Sequence, residues 1–195
     1  MENEFFAHAT IINLLLMFFL LLYTQKQIDK PFIVFIISCF LIGFAAEVLG
    51  TGTGYLFGDY TYGTVLGPKI FEVPVIIAIN WFIVIYCCGI TISDLLRKID
   101  RIQKVDSSVL KSASLIIDSA MLAVFFDWII EPVAVKLGYW TWKGEIPFLN
   151  YLSWFVISVI LMSIFRFTVK DTSNKFAVNL LLIQMMFFLL LRTFL

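Results

Sequence analysis

The sequence predicts an all-α integral membrane protein. It forms a single transmembrane domain over residues 1–195 with about six transmembrane helices, in which helix 2, loop and helix 3 are echoed by helix 4, loop and helix 5 as a parallel internal repeat. Three observations predict this class. Of 195 residues, 61% are hydrophobic and only 14% charged, against roughly 45–50% apolar in a soluble domain. The apolar residues gather in six runs, each close to the roughly 20 residues a helix needs to cross a hydrocarbon core of about 30 Å. Two stretches of the chain also repeat the same residue types at the same spacing.

The runs lie at Phe5 to Tyr23, Phe32 to Leu49, Pro74 to Ile92, Ser112 to Glu131, Asn150 to Arg166 and Phe176 to Phe194. The first follows Glu2 and Glu4 rather than a basic segment, and no small-residue cleavage site follows it, so it reads as an uncleaved helix. The longest connections, Gly50 to Val73, Ser93 to Lys111 and Pro132 to Leu149, are too short to bury a core of their own. Function is therefore expected inside the bundle or at its edge. Cys39, Cys87 and Cys88 fall within the runs without C-x-x-C spacing and read as packing residues. The net charge of zero gives no sign of a nucleic-acid partner.

Basic residues set the expected orientation. With the amino terminus non-cytoplasmic, the cytoplasmic segments hold Lys26, Lys30, Arg97, Lys98, Arg101, Lys104, Lys111, Arg166, Lys170 and Lys175, and the other side only Lys69, Lys136, Lys143 and Arg192. Lys and Arg favour the cytoplasmic side, so a multi-pass protein of the cell membrane in this orientation is expected. The embedded polar residues then share one depth. Glu47 ends helix 2, Asn80 lies in the outer half of helix 3, Asp127 and Glu131 end helix 4, and Asn150 starts helix 5. Ionisable groups at the centre of a membrane helix cost roughly 2.5–3.5 kcal/mol, less near the interface, and commonly line a cavity or pathway. Asp127 and Glu131, four residues apart, share a helix face. A carboxylate at a helix end can also simply reach the headgroups, a reading that stays open for Glu131. Asp118, nearer the cytoplasm, is expected to hold helices together or to mark a deeper part of the cavity.

The repeat runs through these residues. Glu47 precedes Tyr60-Thr61-Tyr62 by the spacing that separates Asp127 from Trp140-Thr141-Trp142. Each aromatic triplet is followed by an acid, a β-branched residue and a proline, Glu72-Val73-Pro74 and Glu145-Ile146-Pro147, and each proline by a tryptophan seven positions on, Trp81 and Trp154. Self-similarity in this order reports repeated structure. Helices 2 and 4 cross in the same direction, so the repeats are parallel, related by an axis along the membrane normal. That axis would place Glu47 and Asp127 in equivalent positions. The prolines are expected at helix starts, Trp81 and Trp154 as interfacial anchors, and the dense loop aromatics Tyr55, Phe57, Tyr60, Tyr62, Tyr139, Trp140 and Trp142 as a belt or a lid.

Other signals are weak or missing. Gly50-Thr51-Gly52-Thr53-Gly54 lacks the Gly-Lys-Ser/Thr of a phosphate loop and reads as a turn. His8 is the only histidine, which argues against an imidazole-built haem, di-iron or zinc centre. No metal ligand is assigned, although a magnesium site of Glu47, Asp127 and Glu131 stays open.

Glu47, Gly50, Thr51, Gly54, Phe57-Gly58-x-Tyr60-x-Tyr62, Gly67, Val73-Pro74 and Trp81, followed by Asp127-x-x-x-Glu131-Pro132-Val133-Ala134, Gly138-x-Trp140-x-Trp142, Pro147, Asn150-Tyr151 and Trp154, resemble the membrane-bound carotenoid hydratase family. This is the group of carotenoid biosynthesis proteins of the γ-carotene 1',2'-hydratase and bisanhydrobacterioruberin hydratase type. The likeness covers helices 2 to 5, about 110 residues, and the outer helices match only in being apolar. It implies addition of water to the terminal 1,2 double bond of an acyclic ψ end group, giving a tertiary alcohol without a cofactor. The Pro-x-Glu-Glu/Asp motif of the small membrane lycopene cyclases is missing, which favours hydration over cyclisation.

Hydrating such an alkene requires a proton on one carbon, a transient tertiary cation on the other, and capture by water. A carboxylic acid kept neutral in an apolar pocket can give the proton. Asp127 or Glu47 is the expected acid, and the rest of the group Glu47, Asp127 and Glu131 orients and deprotonates the water. Asn80 or Asn150 would hold that water. Tyr60, Tyr62, Trp81, Trp140, Trp142 and Trp154 would line the substrate site and stabilise the cation. The expected partners are a carotenoid drawn from the bilayer, water as co-substrate, and membrane lipid. Two rivals remain: a lycopene-type cyclase, in which an internal alkene captures the cation, and a transporter or lipid-binding protein, which would show helices broken at mid-membrane depth. Here the glycines and prolines are read at helix ends.

Overall fold

A chain in lipid has no water to satisfy its backbone and must close its hydrogen bonds within each crossing segment, so the six apolar runs become six helices. The computed structural model describes residues 2–102 and 107–194, with side chains from Ala9 onward. Its helices are α1 Glu2–Thr24, α2 Lys30–Thr53, α3 Ile76–Ile102, α4 Ser108–Lys136, α5 Phe148–Thr168 and α6 Lys175–Phe194. Helices α2 to α6 are long and apolar enough to cross a membrane; the apolar stretch of α1, Ala9–Thr24, is shorter. Lys104, one of the basic residues expected on the cytoplasmic side, lies outside the described residues.

The helix ends correct several sequence expectations. The Asp29 carboxylate caps α2 by accepting from the Phe32 N–H at 3.1 Å, with Pro31 in the first turn. The helix runs on through Gly50-Thr51-Gly52-Thr53, because the threonine hydroxyls bond back to Glu47 O and Leu49 O at 2.9 and 2.6 Å. Only Gly54, at φ 69°, turns the chain away. Helix α3 continues well beyond Ile92 into polar sequence, where Asp94 pairs with Arg97 at 3.2 Å and Lys98 at 2.7 Å along one face. Pro74 does not start this helix. It lies in strand β3 (Val73–Pro74), paired with β2 (Lys69–Ile70) around a two-residue turn in which Phe71 and Glu72 take φ of 50° and 64°, as such a hairpin demands. Pro147, by contrast, caps α5.

Pro132 lies inside α4 rather than after it. A proline there cannot donate to the carbonyl one turn back, which is that of Trp128. Arg192 of α6 meets this carbonyl through a long 3.5 Å hydrogen bond and lays its guanidinium 4.1 Å from the centre of the Trp128 ring. Gly43 and Gly89 are likewise mid-helix. A Cβ at Gly43 would enter the Trp81 ring system, and one at Gly89 the Phe165 ring at 2.8 Å, so both glycines serve close helix packing rather than helix ends.

Helix α3 forms the centre, packed by α1, α2, α4, α5 and α6, and Phe82, Ile83, Tyr86, Cys87, Cys88 and Ile90 on it are sealed from solvent and lipid. The three cysteines are free and buried. Around it α2 packs on α3 and α5, and α4 packs on α5 and α3. This is the pattern a two-fold axis gives when α2–α3 is one repeat and α4–α5 the other.

Two local contacts locate that axis. Strand β1 (Tyr60–Tyr62) pairs antiparallel with β4 (Trp140–Trp142), matching Tyr60 with Trp142, Thr61 with Thr141 and Tyr62 with Trp140. Equivalent residues thus meet symmetrically about the central threonine pair. Below it, Trp81 and Trp154, also equivalent, stack with ring centroids 4.1 Å apart and planes within 13°. A line through both pairs relates the halves, so the repeat read from spacing is a feature of the fold.

Candidate active site

The ribbon of β1 and β4 covers one end of the bundle. Side chains alternate across a strand, so Thr61 and Thr141 face outward while Tyr60, Tyr62, Trp140 and Trp142 turn down onto the helix ends. Each pair of aromatics carries polar tips, and each pair meets a buried carboxyl group. Tyr60 and Tyr62 donate their hydroxyls to Glu47 Oε2 at 2.5 and 2.7 Å, and Trp81 donates its indole N–H to Glu47 Oε1 at 3.0 Å. Burial first, and the Glu47 charge second, push both tyrosines above the ordinary phenol range, so the two hydroxyls remain donors. Trp140 and Trp142 each donate to Glu131 Oε2 at 3.0 Å.

The halves differ in which carboxyl the ribbon holds. By spacing Asp127 is the counterpart of Glu47, yet the tryptophans reach Glu131, one turn nearer the loop. An indole carries its donor on the flank of the ring, whereas a phenol carries it at the tip, so the tryptophan reach is shorter. Asp127 takes its hydrogen bond from α5, where Asn150 Nδ2 donates to Asp127 Oδ2 at 2.9 Å. Glu47, Asp127 and Glu131 are 5%, 5% and 2% exposed; Glu131 is thus fully inside and does not reach the headgroups.

Between these groups lies a cavity of about 40 Å³. Ten of its lining residues were read from the sequence: the three carboxyls, Tyr60, Tyr62, Trp140, Trp142, Asn80, Asn150 and Trp154. A buried water needs roughly 10–15 Å³ on this measure, so the chamber has room for a few waters. Among the described residues no three of His, Cys, Asp or Glu are grouped to hold a metal ion.

Some expectations change. Trp81 is wholly buried and Trp154 is 9% exposed, so neither anchors at the membrane interface; they face the axis instead of lipid. Trp81 also stands behind the cavity wall, where it positions Glu47, while Trp154 lines the wall. Asp118 neither joins helices nor extends the chamber, because it is exposed and bonds Ser114 on its own helix. Tyr55 is 83% exposed and takes no part in the cover. Phe57 and Ile77 complete the lining. Ile77 is three residues past Pro74, as Asn150 is past Pro147, so the repeat itself carried the signal for it.

A helix bundle covered at one end by a ribbon over three buried carboxyls defines a multi-pass membrane protein with a carboxyl-lined chamber. The chain belongs to the carotenoid biosynthesis protein family, which it matches over residues 6–195, so the outer helices share in a likeness first seen only in helices 2 to 5. Bisanhydrobacterioruberin hydratase of Haloarcula japonica is 22% identical over 137 residues, 68% of this chain and 44% of that protein. The chain therefore spans less than half the length of this curated relative. No solved structure matches it.

Proposed function

We propose that the protein is a carotenoid hydratase, a cofactor-independent hydro-lyase that adds water to the terminal 1,2 double bond of an acyclic ψ end group. The observation that carries this reading is the unequal hydrogen bonding of the three carboxyls around one water-sized chamber. Glu47 accepts three hydrogen bonds, from two phenol hydroxyls and an indole N–H, surroundings that suit a fixed carboxylate. Among the described residues Asp127 has one hydrogen-bond partner, Asn150 on Oδ2, the surroundings of a group that can hold and give a proton. The family membership and the name of the Haloarcula relative support the substrate class.

In this mechanism Asp127 transfers its proton to C2, the alkene π pair forms the new C–H bond, and C1 becomes a tertiary cation. The Glu47 carboxylate and the faces of Trp140, Trp142 and Trp154 stabilise that charge. Water held by Asn150 or Asn80 attacks C1, and Glu131 takes its proton. Glu131 returns the proton to Asp127, four residues away on the same helix face. The polyene lies along the bilayer, and a C40 chain of roughly 30 Å matches its thickness.

Expression in a host that accumulates lycopene or γ-carotene, followed by pigment mass measurement, tests this. A product heavier by one water is expected. Asp127→Asn and Glu47→Gln are each expected to reduce it by about 10²–10⁴-fold with the protein still inserted and accumulated. Wild-type levels from both variants would remove the carboxyls from the mechanism, and a new product of unchanged mass would assign a cyclase.

A further inference from the structure

A second cavity, of about 270 Å³, opens at the opposite end of the bundle among α3, α4, α5 and the segment joining α5 to α6. Its wall brings together Arg97, Lys111, Arg166 and Lys170, with no carboxylate among its lining residues. Among the described residues, acids stand beside these cations, where Asp94 meets Arg97 at 3.2 Å, Asp100 meets Lys111 at 2.7 Å and Asp29 meets Lys170 at 3.2 Å. Arg97 is further fixed by Thr172, donating to its hydroxyl at 3.0 Å and its carbonyl at 2.8 Å. Arg166 uses only its Nε, on Ser112 Oγ at 3.1 Å, which leaves its two terminal nitrogens for another acceptor.

An independent feature points to a ligand. Ser93, also on the wall, is 8% exposed, and its hydroxyl has no hydrogen-bond partner. Of the described buried hydroxyls without a partner, those of Ser93, Ser119 and Ser158, Ser93 is the one that lines this cavity. Together the wall offers a guanidinium fork, two ammonium groups and hydroxyl donors, which suits the acceptor oxygens of a phosphate. Leu96, Leu115 and Phe165 add an apolar floor, which suits the carbon backbone attached to that phosphate. Depth agrees with a lipid source. Along α3, Arg97 lies roughly 25 Å beyond Asn80 at about 1.5 Å per residue, close to the full hydrocarbon thickness, so the cavity stands at the headgroups of the other leaflet.

We propose that this cavity binds the phosphate of a phospholipid headgroup. The site is independent of the reaction at the other end. It is tested on the full chain purified in uncharged detergent, by native mass spectrometry and thermal unfolding with added phosphatidylglycerol, diacylglycerol or inorganic phosphate. Phosphatidylglycerol is expected to be retained and to raise the unfolding temperature, with diacylglycerol and inorganic phosphate at the same concentration giving neither effect. Each removed cation is expected to weaken binding about fivefold, so Arg166→Gln with Lys111→Gln should lose the lipid while keeping the lipid-free unfolding temperature. If that pair fails to fold, Lys170→Gln alone should show the single fivefold loss. Unchanged lipid affinity in a folded variant, equal retention of diacylglycerol, or equal stabilisation by inorganic phosphate would each overturn the proposal.

Discussion

Glu47 shows how a single residue in lipid is made tolerable and useful at once. Its two oxygens accept from Tyr60, Tyr62 and Trp81, so its charge is met by directed dipoles where bulk water is absent. Removing one donor leaves part of a buried carboxylate unpaired, at a cost of about 1–3 kcal/mol. Tyr60→Phe and Tyr62→Phe should each lower the unfolding temperature in detergent, and the double variant more than either. The same tyrosines make a prediction with pH. Their pKa values are raised by burial and by Glu47, so the stability they contribute is complete below the unfolded phenol pKa of about 10 and is lost as pH rises through the folded values. In the folded protein neither should ionise in the range where a free phenol does. Ultraviolet titration of the double variant should then match that of the parent in that range, and a loss of titrating phenols would show that the hydroxyls are not held as described.

At the scale of elements the site depends on a ribbon of six residues. Its strands are too short to display any period, so the sequence offered their aromatics as a belt, a lid or a lining of the site without showing that they pair as strands. What was legible was chemistry at fixed spacing: Tyr60, Tyr62, Trp140 and Trp142 came from the repeat, and the carboxyls from their improbability in lipid. Pro132 was misread because a proline ordinarily ends a helix, and nothing local announces that Arg192, sixty residues away, meets the freed Trp128 carbonyl. The polar end of α3 was missed for a related reason, since hydropathy reports where the membrane stops and not where the helix does. The chamber of about 40 Å³ has room for water but is smaller than an isoprenoid end group, so under the proposed function the ribbon would have to yield for one to enter. Thr61 and Thr141 face each other across it and point outward. Thr61→Cys with Thr141→Cys, joined by a short thiol cross-linker, should fold normally and lose turnover, with recovery on cleaving the linker. Full activity in the linked protein would mean that the end group enters elsewhere.

The whole molecule reads as two helix hairpins that share one axis and have parted in chemistry. Thr61 faces Thr141 and Trp81 stacks on Trp154, which preserves the symmetry. The first half meets its ribbon with one glutamate, while the second sets two acids on one face of α4. A symmetric pair of acids would have to act as donor and acceptor by turns, whereas under the proposed hydration this division would let Glu47 stay fixed and leave Asp127 and Glu131, on one helix face, to pass a proton. The two ends of the bundle differ as well, with carboxyls and aromatics at one and the basic cavity at the other. Because Lys and Arg favour the cytoplasmic side, the acid chamber is expected to face away from it. Cysteine reporters decide this cleanly, since Cys39, Cys87 and Cys88 are buried. In intact cells, Thr61→Cys should react with a membrane-impermeant thiol reagent, while Ser108→Cys, at the start of α4 and exposed, should react only after the membrane is opened. The reverse pattern would invert the protein and place the chamber at the cytoplasmic face.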